Sequence, residues 1–538
     1  MKKSVRIVSL LLALAMAVSV FAACGDKTSS SSSKKEETSS KASTASEGSE
    51  ASEGSTAEGG SDLDTSKEVE LVMYVVSDRP AKQDDIDANF NKLFKEKLNC
   101  TLKVNWIGWA EYPNKYPLLF SSGEKFDMAY TATWLNYSSL AQKGAFKSLD
   151  EMWPKYAPKN FERQSESALQ QATVDGHYYC IPTLLATYSA YGPIYRTDIL
   201  EGTDWNGKME NFADLEAYLG AVKAAAPEME PYNVYQSGSE VDNMYVQAEE
   251  GYFFTKGVDF LFFDPSAENP KFMTWYEYDG AMDFLNMMKR WNDNGYFTKS
   301  ALSDTDSQKV QTGKAACTIH NIDTYESRAI DKPEWNFKFA NFVQDVSNLP
   351  FTQDALVISN TAENPERALA LYDLITSDED AYRAFYYGIE GTSYEIVDNQ
   401  VKSLDSDNYA FSACWAARTS EFNLPSYGSP EDVKTWKDSF DKHIEEKGGE
   451  GSQKYQAFVI DTSNIETEFA ACKNVVQQYW WPLELAYVDL ESGLADFQSK
   501  MEAAGVEKVR EELQKQQDRK STRLNSSHSR IAVGGVGV

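Results

Sequence analysis

Carboxylates are the most abundant reactive groups in this 538-residue chain, with 82 Asp and Glu against 52 Lys and Arg. Paired carboxylates are the working groups of glycosidases, but at this abundance accidental pairs are many and none stands out by spacing. His177, His320 and His443 are isolated, and the sequence has no HExxH, GxSxG, GxxxxGK[ST] or GxGxxG segment. Two acidic turns, DTDSQ at 304–308 and DSDNY at 405–409, begin like a calcium loop but lack its glycine at the sixth position and its glutamate at the twelfth. No metal site, no cofactor and no catalytic residue is expected, and the chain is read as a non-enzyme. Cys100, Cys180, Cys317, Cys414 and Cys472 are widely spaced, with no CxxC pair. They form neither a zinc module nor a disulfide framework and are read as small buried hydrophobes.

What is left is chemistry suited to holding a ligand. VELVMYVV at Val69–Val76 is a near-continuous apolar run of strand length. Ser77 or Asp78 then caps a helix with Pro80 near its first turn, and Ile86, Phe90, Leu93, Phe94 and Leu98 make one helical face. TLKVNWI at 101–107 is a second strand, and FDMAYT at 126–131 a third, after a helical stretch near 116–122. Strand, helix and strand in succession imply a right-handed crossover and a largely parallel sheet. Ligands of such sheets bind beyond the carboxyl ends of the strands. Those ends carry Ser77 and Asp78, then Gly108 and Trp109, then Trp134 and Asn136. A tryptophan face beside short polar groups fits a sugar ring, whose C–H face stacks while its hydroxyls are hydrogen-bonded from the side. The alternative for each tryptophan is packing under neighbouring loops. His320, at a strand end beside Asn321, is a candidate ligand contact or a satisfied structural histidine.

The chain ends contribute no core. Lys2, Lys3 and Arg6 precede an apolar run from 7 to 23, which reads as a signal peptide over 1–23. The run closes on Ala22, Ala23 and Cys24, an ending that resembles the lipobox of bacterial lipoproteins, in which the cysteine is lipidated, with Phe21 where the pattern usually has Leu. Two or three acyl chains, at about 0.8 kcal/mol per buried methylene, anchor a protein stably. Residues 24–66 follow as that cysteine plus a Ser/Glu-rich tether that cannot offset its ordering entropy; about 42 such residues reach of order 35 Å. At the other end, 519–538 has four basic residues and no acid. It looks like translated adapter sequence and is left out of the fold.

The intervening body is too long for one core and right for two lobes. At a formal net charge of −30, nucleic acid and anionic lipid are poor partners.

Across that body the sequence resembles the extracellular solute-binding proteins of bacterial ABC importers. The resemblance lies in Ile181-Pro182, with Cys180 for the usual glycine, and in Tyr195-Arg196-Thr197-Asp198. It continues in GKAACTIHN at 313–321 and NPERALALYDLITSDEDAYRAFYYGIEGTSYEI at 364–396. The helical close at 463–516 looks like the LipO-like branch, associated with oligosaccharide uptake. The resemblance implies an α/β, two-lobed periplasmic-binding-protein-like (type II) fold. Each lobe would be a sheet flanked by helices, with a three-segment hinge and a helical C-terminal region. The implied division is 67–181 first lobe, 182–312 second lobe, 313–362 first lobe with hinge crossings, and 363–518 second lobe with the C-terminal helices. Crossings fall near Ile181-Pro182, at 313–321 and at about 360–365. It also implies contacts from Asn321, Tyr394 and Trp415. Related proteins often follow that tryptophan with Gly-Asn, where this chain has Ala416, Ala417 and Arg418; Arg418 is either an altered contact or a surface cation. Trp480 and Trp481 are read as lobe packing.

The expected function is a monomeric, lipid-anchored receptor on the outer face of a Gram-positive-type membrane. It would deliver a carbohydrate, as an oligosaccharide, to ABC permease subunits. A same-fold receptor for a peptide or other non-sugar ligand, and a lipoprotein glycoside hydrolase, are the rivals.

Overall fold

The computed structural model describes residues 63–518, apart from 110, 236–239, 255–257, 307, 450–454 and 456–459. The signal peptide, Cys24, nearly all of the tether and the tail from 519 lie outside the described residues.

Nine strands position the site: β1 (Val69–Val76), β2 (Cys100–Ile107), β3 (Met128–Thr131), β4 (Ile181–Pro182), β5 (Tyr191–Arg196), β6 (Glu230–Tyr232), β7 (Ala315–Asn321), β8 (Phe337–Phe339) and β9 (Ala355–Ile358). They form two sheets, ordered β2-β1-β3-β9-β4 and β8-β5-β7-β6. In the first, β1 runs parallel to β2, with Val69 opposite Cys100 and Val76 opposite Ile107, and parallel to β3. The returning β9 is antiparallel to β3 and to β4. Alternate residues Leu71, Met73 and Val75 of β1 are 0–2% exposed, as a strand covered by helices requires.

Helix α1 (Gln83–Leu98) covers this sheet with Ile86, Phe90 and Phe94 buried. Asp84 and Asp85 in its first turn and Lys95 and Lys97 in its last complement the helix dipole. It starts later than the sequence predicts: Lys82, not Ser77 or Asp78, is the N-cap, without a side-chain cap. The Lys82 N–H is drawn to the Asn408 carbonyl, 3.0 Å away, and the chain from Ser77 to Lys82 is spent reaching it.

In the second lobe β5 lies between β8 and β7, antiparallel to both, while β6 is parallel to β7. Gly192 in β5 is required by close approach. A Cβ there would sit 1.9 Å from the Ala340 carbonyl oxygen, blocking the return of 340–342 along β5.

Two cores follow this division. One joins β1–β4 and β9 to buried residues from Ala362 to Ala417, including helix α5 (Pro365–Ser377). The other runs from Ala190 to Val346 and resumes from Val433 to Leu513. It holds α2 (Phe212–Ala225), α3 (Val241–Glu250), α4 (Ile322–Asp331), α6 (Glu431–Glu446), α7 (Glu466–Val475) and α8 (Leu490–Ala504). The expected division therefore needs correction after 312. The strand at 315–321 stays in the second sheet, paired to β5 and β6, and residues 363 to about 418 belong to the first core. The apolar Ala-Ala-Cys-Thr-Ile run fits either sheet, and only its partners decide.

The hinge is correspondingly displaced. Three segments lie side by side: Leu184 bridges Thr419 and Tyr188 bridges Asn348. The Thr183 N–H donates to the Asp354 carbonyl at 2.9 Å, and the Leu349 N–H to that of Thr187 at 2.7 Å. The first crossing follows Ile181-Pro182, as read; the other two are near 347–351 and 418–420, not at 313–321 and 360–365.

Candidate functional site

A cavity of about 470 Å³ opens between the two cores, with the second hinge segment among its walls. On the first-lobe side it is lined by Trp134, Asn136 and Thr133, beyond the end of β3, and by Tyr112 beyond β2. Asn136 takes a left-handed φ of 59°, which ends the short turn Thr133–Leu135 and starts the helix Tyr137–Gln142. Trp109 stacks on Trp134 at 6.0 Å and on Trp415 at 5.9 Å, with interplanar angles of 29° and 17°. Tyr112 meets Trp134 edge-on at 5.5 Å, and Tyr130 meets Trp415 edge-on at 5.4 Å. Each such pair is worth about 0.5–1.5 kcal/mol beyond its area. Trp134 is thus held by its neighbours and half-buried, and it lines the cavity.

The loop carrying Trp109 is fastened by Asp78, whose Oδ1 accepts the Trp109 N–H at 3.3 Å. Gly108 permits this, since a Cβ would come within 2.8 Å of that oxygen. Asp78 is therefore a support. Ser77 donates its N–H to Ile107 at 3.0 Å and continues the β1–β2 pairing; neither residue is among those lining the cavity.

The second-lobe wall is mixed: Phe253, Phe254, Ile460 and Phe469 line it together with polar and titratable groups. Along α3 and its N-cap, Glu240, Asn243, Met244 and Gln247 face the cavity at spacings of three, one and three. Gln247 Nε2 donates to Asn243 Oδ1 at 2.5 Å. The Glu240 side chain is open to the cavity but crowded by protein around it, and that crowding, with repulsion from Asp242 and Asp259, pushes its carboxyl up to about 7. Crowding by the surrounding protein also raises Asp242, whose Oδ2 accepts the Trp480 indole N–H at 2.9 Å, and Asp259, although the latter is exposed. Trp480 is fully buried against Trp275 at 4.7 Å, packing within the second lobe. Lys473 on α7 and Tyr191 on β5 also line this side.

Asn321 lines the cavity and caps α4, its Oδ1 accepting the Thr324 N–H at 2.9 Å. His320 lies behind it, stacked on Tyr191 at 5.4 Å. Burial, followed by nearby Arg328, pulls its imidazole down to about 4, so the ring is neutral at pH 7.

Trp109, Trp415 and His320 are likewise not among the residues lining the cavity, and the last two expected contacts, Tyr394 and Arg418, are elsewhere. Tyr394 is 3% exposed in the hairpin Tyr394–Val397/Gln400–Ser403, packed with Tyr382, Tyr386 and Tyr387. Arg418 is neither ligand contact nor surface cation. Its Nη2 donates to Asp354 Oδ2 at 2.8 Å and its Nε to the Trp415 carbonyl at 3.2 Å. Tyr130 donates to the other Asp354 oxygen at 2.6 Å, and the Arg418 carbonyl accepts the Leu184 N–H of the hinge at 3.2 Å. This buried ion pair ties the tryptophan stack to the first hinge segment.

Sequence reasoning missed Tyr112, Tyr191, Glu240, Asn243, Gln247 and Lys473. For α3 the signal was present, because a 240, 243, 244, 247 spacing marks one helical face. A polar face of that kind reads equally well as solvated surface. Of the acidic turns, Asp304 pairs with Lys309 at 2.6 Å and Asp306 with Lys314 at 2.7 Å. Among the described residues no group of three or more His, Cys, Asp or Glu is arranged to hold a metal ion. All five described cysteines are free and buried.

The family model of bacterial extracellular solute-binding proteins matches residues 79–382, and a domain of unknown function matches 454–519. A carbohydrate ABC transporter substrate-binding protein of Streptococcus pneumoniae is 26% identical over 476 residues, which cover 85% of this chain and 91% of that protein. The solved N-glycan transport solute-binding protein NgtS of S. pneumoniae, in complex with Man1GlcNAc, superposes with a TM-score of 0.70 at 21% identity, over 85% of this chain and 100% of that one. The S. pneumoniae protein FusA in complex with kestose gives 0.55 at 16%, over 84% and 100%. These structures share the two-lobed fold.

Proposed function

We propose that this chain, which belongs to the bacterial extracellular solute-binding protein family, is the carbohydrate receptor of an ABC importer. The observation that carries the proposal is the pairing of walls: a stacked tryptophan platform ending in Trp134 opposite an amide- and carboxylate-bearing helix across one interlobe cavity. A sugar ring gives its C–H face to Trp134 and its hydroxyls to Asn136, Asn243, Gln247 and Glu240. The relatives named above, a carbohydrate transporter component and proteins solved with an N-glycan fragment and with kestose, support an oligosaccharide as ligand.

Capture works by closure of the lobes about the three hinge segments. Ligand shifts that equilibrium through contacts that only the closed form completes. Micromolar affinity needs about −8 kcal/mol, within reach of a few desolvated stacks and hydrogen bonds. No covalent step is required, and the ligand leaves unaltered to the permease subunits. Lipidation at Cys24 keeps the receptor, as a monomer, at the outer membrane face.

Thermal unfolding against a panel of plant, host and microbial oligosaccharides, with peptides, amino acids and polyamines as controls, tests this. Ligand at 100 times its Kd adds about 2.7 kcal/mol, and a selective rise with one glycan series is expected. Silence from all sugars with a response to a peptide overturns the ligand class; shortened products after long incubation overturn the receptor assignment in favour of a hydrolase. For the anchor, Cys24→Ala is expected to release the protein into the medium.

A further inference from the structure

Apart from the three hinge segments, side chains join the two lobes beside the cavity. Gln142 Nε2 donates to Asp461 Oδ2 at 2.8 Å, and Lys143 pairs with Glu466. Gln142 ends the first-lobe helix Tyr137–Gln142, whose Ser138 and Ser139 line the cavity. Asp461 stands between Ile460 and Thr462, which line it from the other lobe. Glu466 opens α7, and Phe469 and Lys473, three and seven residues on, share its helical face and also line the cavity. The bonds across the cleft are thus interleaved with the cavity wall on both sides.

Asp461 is held in place for its reach across. Its N–H donates to Gln516 Oε1 at 2.9 Å and its carbonyl accepts from Gln516 Nε2 at 2.7 Å, which ties it to the C-terminal stretch that buries Val509 and Leu513. Its Oδ1 accepts the Ser463 N–H at 2.9 Å, which leaves Oδ2 for Gln142. Gln142 Oε1 is buried without a partner, so this amide is spent on the bond across the cleft. Lys143 and Glu466 are 53% and 56% exposed in their side chains, so that pair is solvated and easily parted. The hinge segments, by contrast, are joined through backbone bonds such as that from the Thr183 N–H to the Asp354 carbonyl. A junction made of side chains opens by rotamer changes alone; a backbone junction does not.

We propose that Gln142, Lys143, Asp461 and Glu466 form a clasp between the first lobe and the C-terminal region, and that opening of this clasp governs how fast a bound ligand leaves. This gives a role to the domain of unknown function matched at 454–519. The proposal rests on the receptor assignment for what the cavity holds, and adds the edge at which the cleft yields. All four are positioning residues. None is among those lining the cavity; they act through the neighbours that are.

The first test needs no ligand. Hydrogen–deuterium exchange of the full chain, read by mass spectrometry, is compared with that of the double variant Gln142→Ala, Lys143→Ala. The substitutions are in the first lobe and the readout in the other: exchange across 460–469 is expected to quicken about tenfold, with the hinge peptides at 183–189 and 347–354 unchanged. Lys143→Glu should quicken it too, and Lys143→Glu with Glu466→Lys should bring it back, a rescue that local damage would not give. Should the double variant fail to fold, this charge exchange alone decides. The second test is release of Man1GlcNAc and of kestose, the sugars bound in the solved relatives, followed by surface plasmon resonance. Whichever binds is expected to leave about fivefold faster from the double variant, with its association rate within about twofold. Unaltered exchange across 460–469, or an unaltered dissociation rate, overturns the clasp while leaving the receptor assignment intact. Binding of neither sugar counts against the ligand class, and the exchange measurement then decides the clasp by itself.

Discussion

On the first-lobe wall of the cleft the side chains hold one another: Trp109 stacks on both Trp134 and Trp415, Tyr112 and Tyr130 meet the stack edge-on, and Arg418 and Asp354 lock the turn behind it. On the opposite wall Glu240 has no ion pair among the described residues, and in the lobe behind that wall Asp242 and Asp259 are pushed toward their neutral forms and Arg328 leaves two nitrogens without acceptors. The first wall has met its bonding needs before ligand arrives; the second has not. Affinity common to many sugars therefore belongs to the preassembled wall, and discrimination among them to the wall whose polar groups await partners.

Breaking the lock behind the first wall should have the largest effect. Arg418→Met leaves Asp354 buried without its counter-charge, which costs about 3–5 kcal/mol; urea unfolding should show it, and an unchanged midpoint would mean that the stack is held by packing alone. Next, Trp134→Ala removes the face offered to the ligand. A central tryptophan contact is worth about 2 kcal/mol, so calorimetry should record an affinity loss of roughly 30-fold across sugars of different kinds. A loss confined to one sugar would move discrimination to the first wall and undo the contrast.

The second wall is sharpened by pH. Glu240 holds its proton more tightly in the folded chain, at about 7, than its ordinary 4.5. Its carboxyl therefore costs stability increasingly as pH climbs from about 4.5 to about 7, and the cost persists above that. Glu240→Gln is expected to raise Tm modestly at pH 8 and to leave it unchanged below pH 4; a loss of stability at pH 8 would show that the carboxylate has a partner. Smallest of all, Tyr394→Phe, remote from both walls, should alter affinity less than about twofold, or about 0.4 kcal/mol.

The difference between the walls also governs how much the sequence discloses. The first lobe is legible because its signals are local: β1 spans Val69–Val76 as its apolar run predicts, and the Trp109 and Trp134 positions follow from the strand ends. Arg418 was beyond reach, since Asp354 lies 64 residues away and no spacing rule links them. Glu240, Asn243 and Gln247 sit on an amphipathic helix whose polar face resembles any solvated one. The second and third hinge crossings were misplaced for a related reason: an apolar strand such as Ala315–Asn321 states that it is buried, but not in which sheet.

The five buried thiols give the folded protein a clock. Burial pushes Cys180 and Cys414 up to about 12, so neither is a thiolate at neutral pH and neither reacts while covered. Cys180 immediately precedes the first hinge segment and Cys414 the turn carrying Trp415, whereas Cys472 lies on α7 in the other core. Timed alkylation followed by peptide mass mapping would therefore date two events separately: loosening at the pivot, recorded by Cys180 and Cys414, and melting of the far lobe, recorded by Cys472.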